Sequence, residues 1–250
     1  DTGTSEQATR TLIPHLLSVS IDHIDIVFIS HAHFDHYEGL ARLLSSNISI
    51  GSVYFNMPTK ERCNEEPWGC QFDSLRLITN KLAEKGIPLR KVTSKMKFDL
   101  GPNTKLNVLY AFTPSNSPEQ NISINDESLV MLLVHKGYRF LFTGDLDQKI
   151  GNYLAEHGEN LRADVLKVPH HGATGLPPAI FFDAVNPDFC LVPAPAWLWY
   201  SERSAQTYNW SKDHNIPTYV SGLDGNVYIE IGSDGDLIVQ SKNYSRKIFR

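Results

Sequence analysis

The sequence predicts an α/β fold in which short apolar strands alternate with amphipathic helices. Runs at residues 24–29, 129–134, 139–143, 164–168 and 189–192 are apolar and of strand length. Between them lie segments with apolar residues at helical spacing, such as Leu75, Ile78 and Leu82. Three of the strands end in residues of types that can bind a metal: His31 to His36, Asp145 in Gly144-Asp145, and the histidines of Pro169-His170-His171-Gly172.

At 250 residues, with 20% charged and 41% apolar residues, the chain has the composition of a soluble globular protein, read as one domain over 1–250. No apolar run reaches the ~18 residues of a membrane span, and the first residues do not form a signal-peptide pattern. A net charge of −5 gives no overall electrostatic case for nucleic acid, although a local basic groove remains compatible with it. Cys190 sits in an apolar run and reads as a buried thiol. Cys63 and Cys70 bracket a short loop that an oxidising compartment would close into a disulfide and a reducing one would leave as free thiols. Cytoplasmic and exported locations therefore both stay open.

In chain order, Ser5 is the expected cap of a helix that places Leu12, Ile13, Leu16 and Leu17 on one face, with Pro14 as a kink. A strand at 24–29 leads into the first cluster, followed by a helix at 37–45, a strand at 48–55 and an irregular loop at 57–69. Asp73 or Ser74 opens the next helix, which Gly86 and Pro88 close. Strands are expected at 92–96 and 105–112, then a long polar loop over 113–126. Lys136-Gly137 joins two strands as a hairpin, and a helix at 150–157 is closed by Gly158. Helices at 179–184 and 205–214, strands at 189–192 and 218–220, and a hairpin over Ser233-Asp234-Gly235 complete the chain.

The first cluster holds three imidazoles and a carboxylate within six residues, in a chain with ten histidines. These are ligands for a borderline-soft divalent ion. An extended backbone over 31–33 points His31 and His33 to the same side, and a turn before the next helix aims Asp35 and His36 at a neighbouring point. The pattern reads as two ligands for one ion and two for a second.

His-x-His-x-Asp-His after a buried strand resembles the metallo-β-lactamase superfamily of binuclear metal hydrolases. The resemblance implies a four-layer αββα sandwich, with two ions at the edges of two packed sheets and helices outside. In that family an Asp-x-Gly such as Asp1-Thr2-Gly3 ends a strand, so the first N-terminal strands, roughly 20 residues, are expected to lie outside this chain. Asp145, after Leu-Phe-Thr-Gly, corresponds to the bridging carboxylate. Of the double histidine, His170 is the expected ligand and His171 a catalytic contact to phosphate or leaving group, although spacing alone does not choose between them. The metal set is thus His31, His33, Asp35, His36, Asp145 and His170, with Asp35 doubling as the catalytic base.

A third histidine for the first ion is missing. His135 falls at the turn end of its hairpin, away from Asp145, so it is not expected to ligate. Asn125-x-x-Ser128-Leu129-Val130 is similar to the His-His-Gly branch of the superfamily, which contains the hydrolase domain of the DNA-uptake protein ComEC. It brings Asn125 and Asp126 alongside Asp145 as substrate contacts. An open first shell suits Mn²⁺ about as well as Zn²⁺. A second similarity, to bacterial phosphorylcholine esterase, includes the stretch from Trp197 to Trp210. Trp197 and Trp199, with Tyr200 and Trp68, would frame a quaternary ammonium group, although rings at this density more often simply pack. What the resemblance implies is a binuclear hydrolase of small-molecule or polymer phosphodiesters, using a hydroxide that bridges two divalent ions about 3.5–4 Å apart. The competing reading, from the missing histidine, is a metal-poor member that binds a ligand or partner without turnover.

Overall fold

The structure is a computed structural model that describes residues 1–115, 117–157, 160–243 and 245–248, with only the backbone considered at 247 and 248. Three parallel strands, β1 (His23–Phe28), β2 (Ser49–Tyr54) and β3 (Leu89–Arg90), form one sheet. The strands that follow in sequence are β4 (Lys97–Asp99), β5 (Thr104–Tyr110), β6 (Val130–His135), β7 (Tyr138–Phe142), β8 (Val165–Lys167), β9 (Phe189–Val192) and β10 (Thr218–Val220). They build a mixed sheet in the order β10-β9-β8-β7-β6-β5-β4, antiparallel from β4 to β7 and parallel from β7 to β10. An antiparallel trio, β11 (Tyr228–Ile231), β12 (Leu237–Gln240) and β13 (Ser245–Ile248), completes the strands among the described residues.

Side-chain alternation along the mixed sheet separates two cores. One face carries Met131 and Leu133, which pack with Phe28 and Tyr54 of the first sheet, and Tyr138, Val165 and Phe189, which pack with Leu237 and Val239 of β12. The opposite face carries Leu132, Leu141, Leu166 and Cys190 against Leu154, Phe181, Phe182 and Trp210 from three helices. Beyond the first sheet, Val27, Ile50 and Val53 meet Leu40 and Leu43 of helix Phe34–Leu43 and Leu75, Ile78 and Leu82 of helix Phe72–Glu84. The layers therefore run helix, sheet, sheet, helix, as the αββα reading requires. Each fully buried Leu, Ile or Phe contributes ~1.5–3 kcal/mol by transfer from water, so the fold rests on these cores.

Several expectations change in detail. The first helix is capped by Thr4 in a capping box with Gln7, not by Ser5, and passes through a π-helical stretch, Ala8–Leu12, before Pro14. The helix after the first cluster starts at Phe34, so Asp35 and His36 stand in its first turn, where a carboxylate is favoured. Residues 92–96 are not a strand. Val92 is buried, but the Asn56 side chain satisfies both its N–H and its carbonyl, and Lys95 turns back at φ 70. The parallel edge is instead Leu89–Arg90. The expected loop at 57–69 holds a helix, Lys60–Glu65, capped by Thr59. Gly158, the expected stop of helix Gln148–His157, lies outside the described residues.

Candidate metal centre

Two sheets deliver the first and third clusters to one place. His31 and His33 follow β1, through a bend at 31–32 and extended backbone at His33, and their rings lie 4.8 Å apart, centre to centre. His36, one helical step on, brings its ring to 4.2 Å from His31. Asp145 follows β7 and His171 follows β8, and these strands pair in parallel, so their ends reach the same edge. Ligand atoms of Asp35, His36, Asp145 and His171 all lie within 4.8 Å of one another.

Asp145 is the hub and is 2% exposed. Its Oδ2 is 3.1 Å from His36 Nε2 and 3.2 Å from His171 Nε2, and its Oδ1 is 3.3 Å from Lys167 Nζ. Burial alone would raise this carboxyl, but the charges of His36, Lys167 and His171 outweigh it and hold Asp145 well below the usual carboxylate range. Asp35 Oδ2 lies 3.5 Å from His171 Nε2 and 3.9 Å from His36 Nε2. There too burial is outweighed, by the contact with His171 and the charge of His36, and the carboxyl falls below its ordinary value. Burial opposes a proton on His171, yet Asp145 and Asp35 overcome it and raise the ring to about 9. Desolvation and the neighbouring His36 push His31 well below its usual value, leaving a neutral imidazole.

Each of the four rings has one nitrogen held by a neighbouring oxygen. Ser30 Oγ meets His31 Nδ1 at 3.0 Å, Glu66 Oε2 meets His33 Nε2 at 3.1 Å, Asp1 Oδ2 meets His36 Nδ1 at 3.1 Å, and the Pro193 carbonyl meets His171 Nδ1 at 2.8 Å. Carboxylates and carbonyls in these positions orient ligating imidazoles and fix the tautomer. His31 Nε2 is buried without a hydrogen-bond partner, a costly state for a polar atom unless something else binds it. Oriented imidazoles, one of them with an orphaned ring nitrogen, and two carboxylates are donors that suit a divalent metal ion, and among the described residues the donor atoms that come together are those of Asp35, His36, Asp145 and His171.

The double histidine is arranged differently from the expectation. His171, not His170, joins the cluster. Both adopt left-handed backbone, at φ 45 and φ 55, and this turn sends adjacent rings to different sides. Such conformations cost ~1–3 kcal/mol each and collect at functional sites. His170 faces Asn125, with Nε2 3.5 Å from Asn125 Nδ2. Asp126 is also displaced from its expected role as a substrate contact. Its Oδ1 accepts from the N–H groups of Asp147 and Ile150, at 3.1 and 3.2 Å, and caps helix Gln148–His157. Trp199 is only 6% exposed and packs behind the double histidine against Tyr208, so it is core rather than a substrate wall. Trp197 is 69% exposed, as the expected contact surface requires, and no ring pairing fixes it among the described residues. His135 sits at the far end of β6, bonded to Thr104 Oγ1.

Two participants escape a reading by motif. Glu66 comes from the cysteine-bounded loop, and Lys167 from the last position of β8. Lys167 had a signal: a lone charge between Leu166 and Val168 in a parallel strand covered on both faces. Glu66 had none beyond its place between Cys63 and Cys70, which pair as a disulfide.

Burial and the nearby Asp147 push the Asp126 carboxyl up to about 7. The folded chain then holds a proton that the unfolded chain releases near pH 4, so the contribution of this carboxyl to stability falls as pH rises from about 4 to 7 and is flat above. We expect Asp126→Asn, which keeps the capping oxygen, to remove that slope in the metal-free protein. At pH 8 it should raise the melting temperature by about 2–4 °C, the shift for ~1 kcal/mol in a chain of this size. Thermal melts of both proteins at pH 4, 6 and 8 check this; an unchanged slope would assign the dependence elsewhere.

The family model of the beta-lactamase superfamily domain matches residues 1–176. The chain belongs to that superfamily. Among curated relatives, this superfamily member is 25% identical over 243 residues to "Competence protein ComA" of Neisseria gonorrhoeae, covering 94% of the chain and 29% of that protein. It is 24% identical over 185 residues to "ComE operon protein 3" of Bacillus subtilis (strain 168), covering 74% of the chain and 22% of that protein. The chain thus spans less than a third of either relative. Among solved structures, CmlA, a diiron β-hydroxylase from Streptomyces venezuelae, superposes with a TM-score of 0.50 at 16% identity, over 79% of this chain and 43% of that one. That likeness concerns the fold alone. No helix among the described residues is long and apolar enough to cross a membrane.

Proposed function

We propose that this superfamily member is a binuclear metal-dependent hydrolase of phosphodiesters. The observation that carries the reading is the donor cluster of Asp35, His36, Asp145 and His171, with His31 and His33 beside it, the four rings each held by an outer oxygen and His31 Nε2 buried and unpartnered. His31, His33 and Asp145 would hold one ion, and Asp35, His36, His171 and Asp145 the other. Two divalent cations at such a centre supply Lewis acidity toward a phosphoryl oxygen and lower the pKa of water. The protein's own part is orientation and proton handling. Asp145 and Lys167 fix the charge at the floor, and the part-exposed Asp35 Oδ2 stands where it takes the proton of an attacking water. The choice of phosphodiesters over other esters is supported by the similarity of Asn125–Val130 and of the His-His-Gly turn to the branch named above. His170 and Asn125, beside the cluster, are the side chains we assign to substrate.

The test is metal content together with hydrolysis of bis-p-nitrophenyl phosphate. Wild type should retain about two ions per chain. We expect His171→Ala to lose one ion and at least about 100-fold in turnover, the low end for a missing catalytic group. His170→Ala should keep both ions and lose activity mainly through KM. If metal-loaded wild type hydrolyses no phosphodiester or other ester, a binding role replaces the enzymatic one.

A further inference from the structure

Glu66 reaches the metal centre from a segment built around it. The Cys63–Cys70 disulfide closes the loop that carries it. Within that loop Glu66 Oε1 accepts the Ile124 N–H at 2.8 Å while Oε2 faces His33 Nε2, so one carboxylate ties a ligand ring to the loop before β6. Trp68 lies on the same ring, with centres 4.9 Å apart. Gly69 accepts the Phe34 N–H at 2.9 Å, and a Cβ there would come within 2.5 Å of the His33 ring, so only glycine allows the loop to lie this close. His33 is thus clamped by charge, ring contact and backbone, all from residues 66–69. His36 and His171 are anchored from elsewhere, by Asp1 and the Pro193 carbonyl.

We propose that Glu66, held by the Cys63–Cys70 disulfide, is a positioning residue for His33, and that opening the disulfide loosens the ion carried by His31 and His33 ahead of the other. The proposal rests on the metal reading above. The opening step needs a two-electron reductant. With a trialkylphosphine the S–S bond breaks, two thiols form at Cys63 and Cys70, and the phosphine leaves as its oxide with oxygen from water.

Two measurements test it. The first follows release of Zn²⁺ from the loaded protein to a chelator. Partners that orient metal-bound histidines are worth 10–100-fold in affinity. Glu66→Ala, and separately wild type reduced by phosphine, should therefore each release one ion per chain about 10–100-fold faster. The second ion should leave at the wild-type rate. Glu66→Gln, which keeps an acceptor oxygen, should recover most of the retention. The second measurement is the ¹⁵N shift of the His33 ring nitrogens in metal-free protein. Wild type should show a single tautomer protonated on Nε2, and Glu66→Ala a mixture. Equal release of both ions in every variant, or one unchanged His33 tautomer in Glu66→Ala, overturns the proposal. If wild type takes up no Zn²⁺, the hydrolase reading fails, and the tautomer alone then decides whether Glu66 orients His33. Reduction of folded wild type opens the disulfide without replacing a cysteine.

Discussion

On the proposed hydrolase reading, Asp145→Asn will cost this protein both ions, nearly all turnover and a measurable share of its stability. In the proposed binuclear hydrolase Asp145 is the carboxylate assigned to both ions, and it also compensates Lys167, His36 and His171 in a buried setting. Its loss removes more than any outer partner does, so metal affinity should fall by more than about 100-fold. Removing one member of a buried charge cluster typically destabilises by 3–5 kcal/mol, because the remaining charges stay behind unpaired. We expect about 3 kcal/mol in metal-free protein at pH 7. The pH dependence gives a second signature. A carboxyl held below its unfolded value contributes stability that is present above that value, about 3.9, and lost as pH falls through the folded one. Wild type should therefore lose stability on acidification more steeply than Asp145→Asn. Denaturant melts at pH 7 and pH 3, with metal content by elemental analysis, check both statements; two bound ions in the variant would remove Asp145 from the centre.

Asp35→Asn should separate chemistry from folding. The side chain stands at the N-terminal turn of its helix and is partly open to solvent, so an isosteric amide disturbs little packing. It takes from the site the carboxylate best placed to accept a proton. We expect turnover on bis-p-nitrophenyl phosphate to fall by at least about 100-fold, the low end for losing a general base. The melting temperature of the metal-free protein should stay within a few degrees, because the cores carry the fold. Near-wild-type rates with both ions bound would end this role for Asp35.

The alternation of strands and helices, the hairpin at Lys136-Gly137, with φ 49 and φ 86, and the strand ends that carry His31, Asp145 and His171 were all legible in the sequence. Each is written in local periodicity or in turn chemistry. The choice between His170 and His171 was not, because it depends on two consecutive left-handed residues, and spacing rules assume ordinary strand backbone. Asp126 was misread because a carboxylate near a strand end looks the same whether it faces a ligand or caps a helix more than twenty residues away. Glu66 was invisible for a related reason: its partner His33 is 33 residues distant, and only the folded loop brings them together.

The donors divide into two groups by distance along the chain. His31, His33, Asp35 and His36 are neighbours in sequence, whereas His36 and Asp145 meet across 109 residues. A newly made, still unfolded chain therefore already carries a four-donor chelating peptide, while the rest of the shell exists only after the sheets have joined. An ion that binds both the coil and the finished protein stabilises the latter only by the difference between the two affinities. Thermal protection by metal should thus reflect Asp145, His171 and the outer acceptors rather than the whole ligand count. Early capture of an ion by the local motif also places it on the chain before the distant half of its cage has formed.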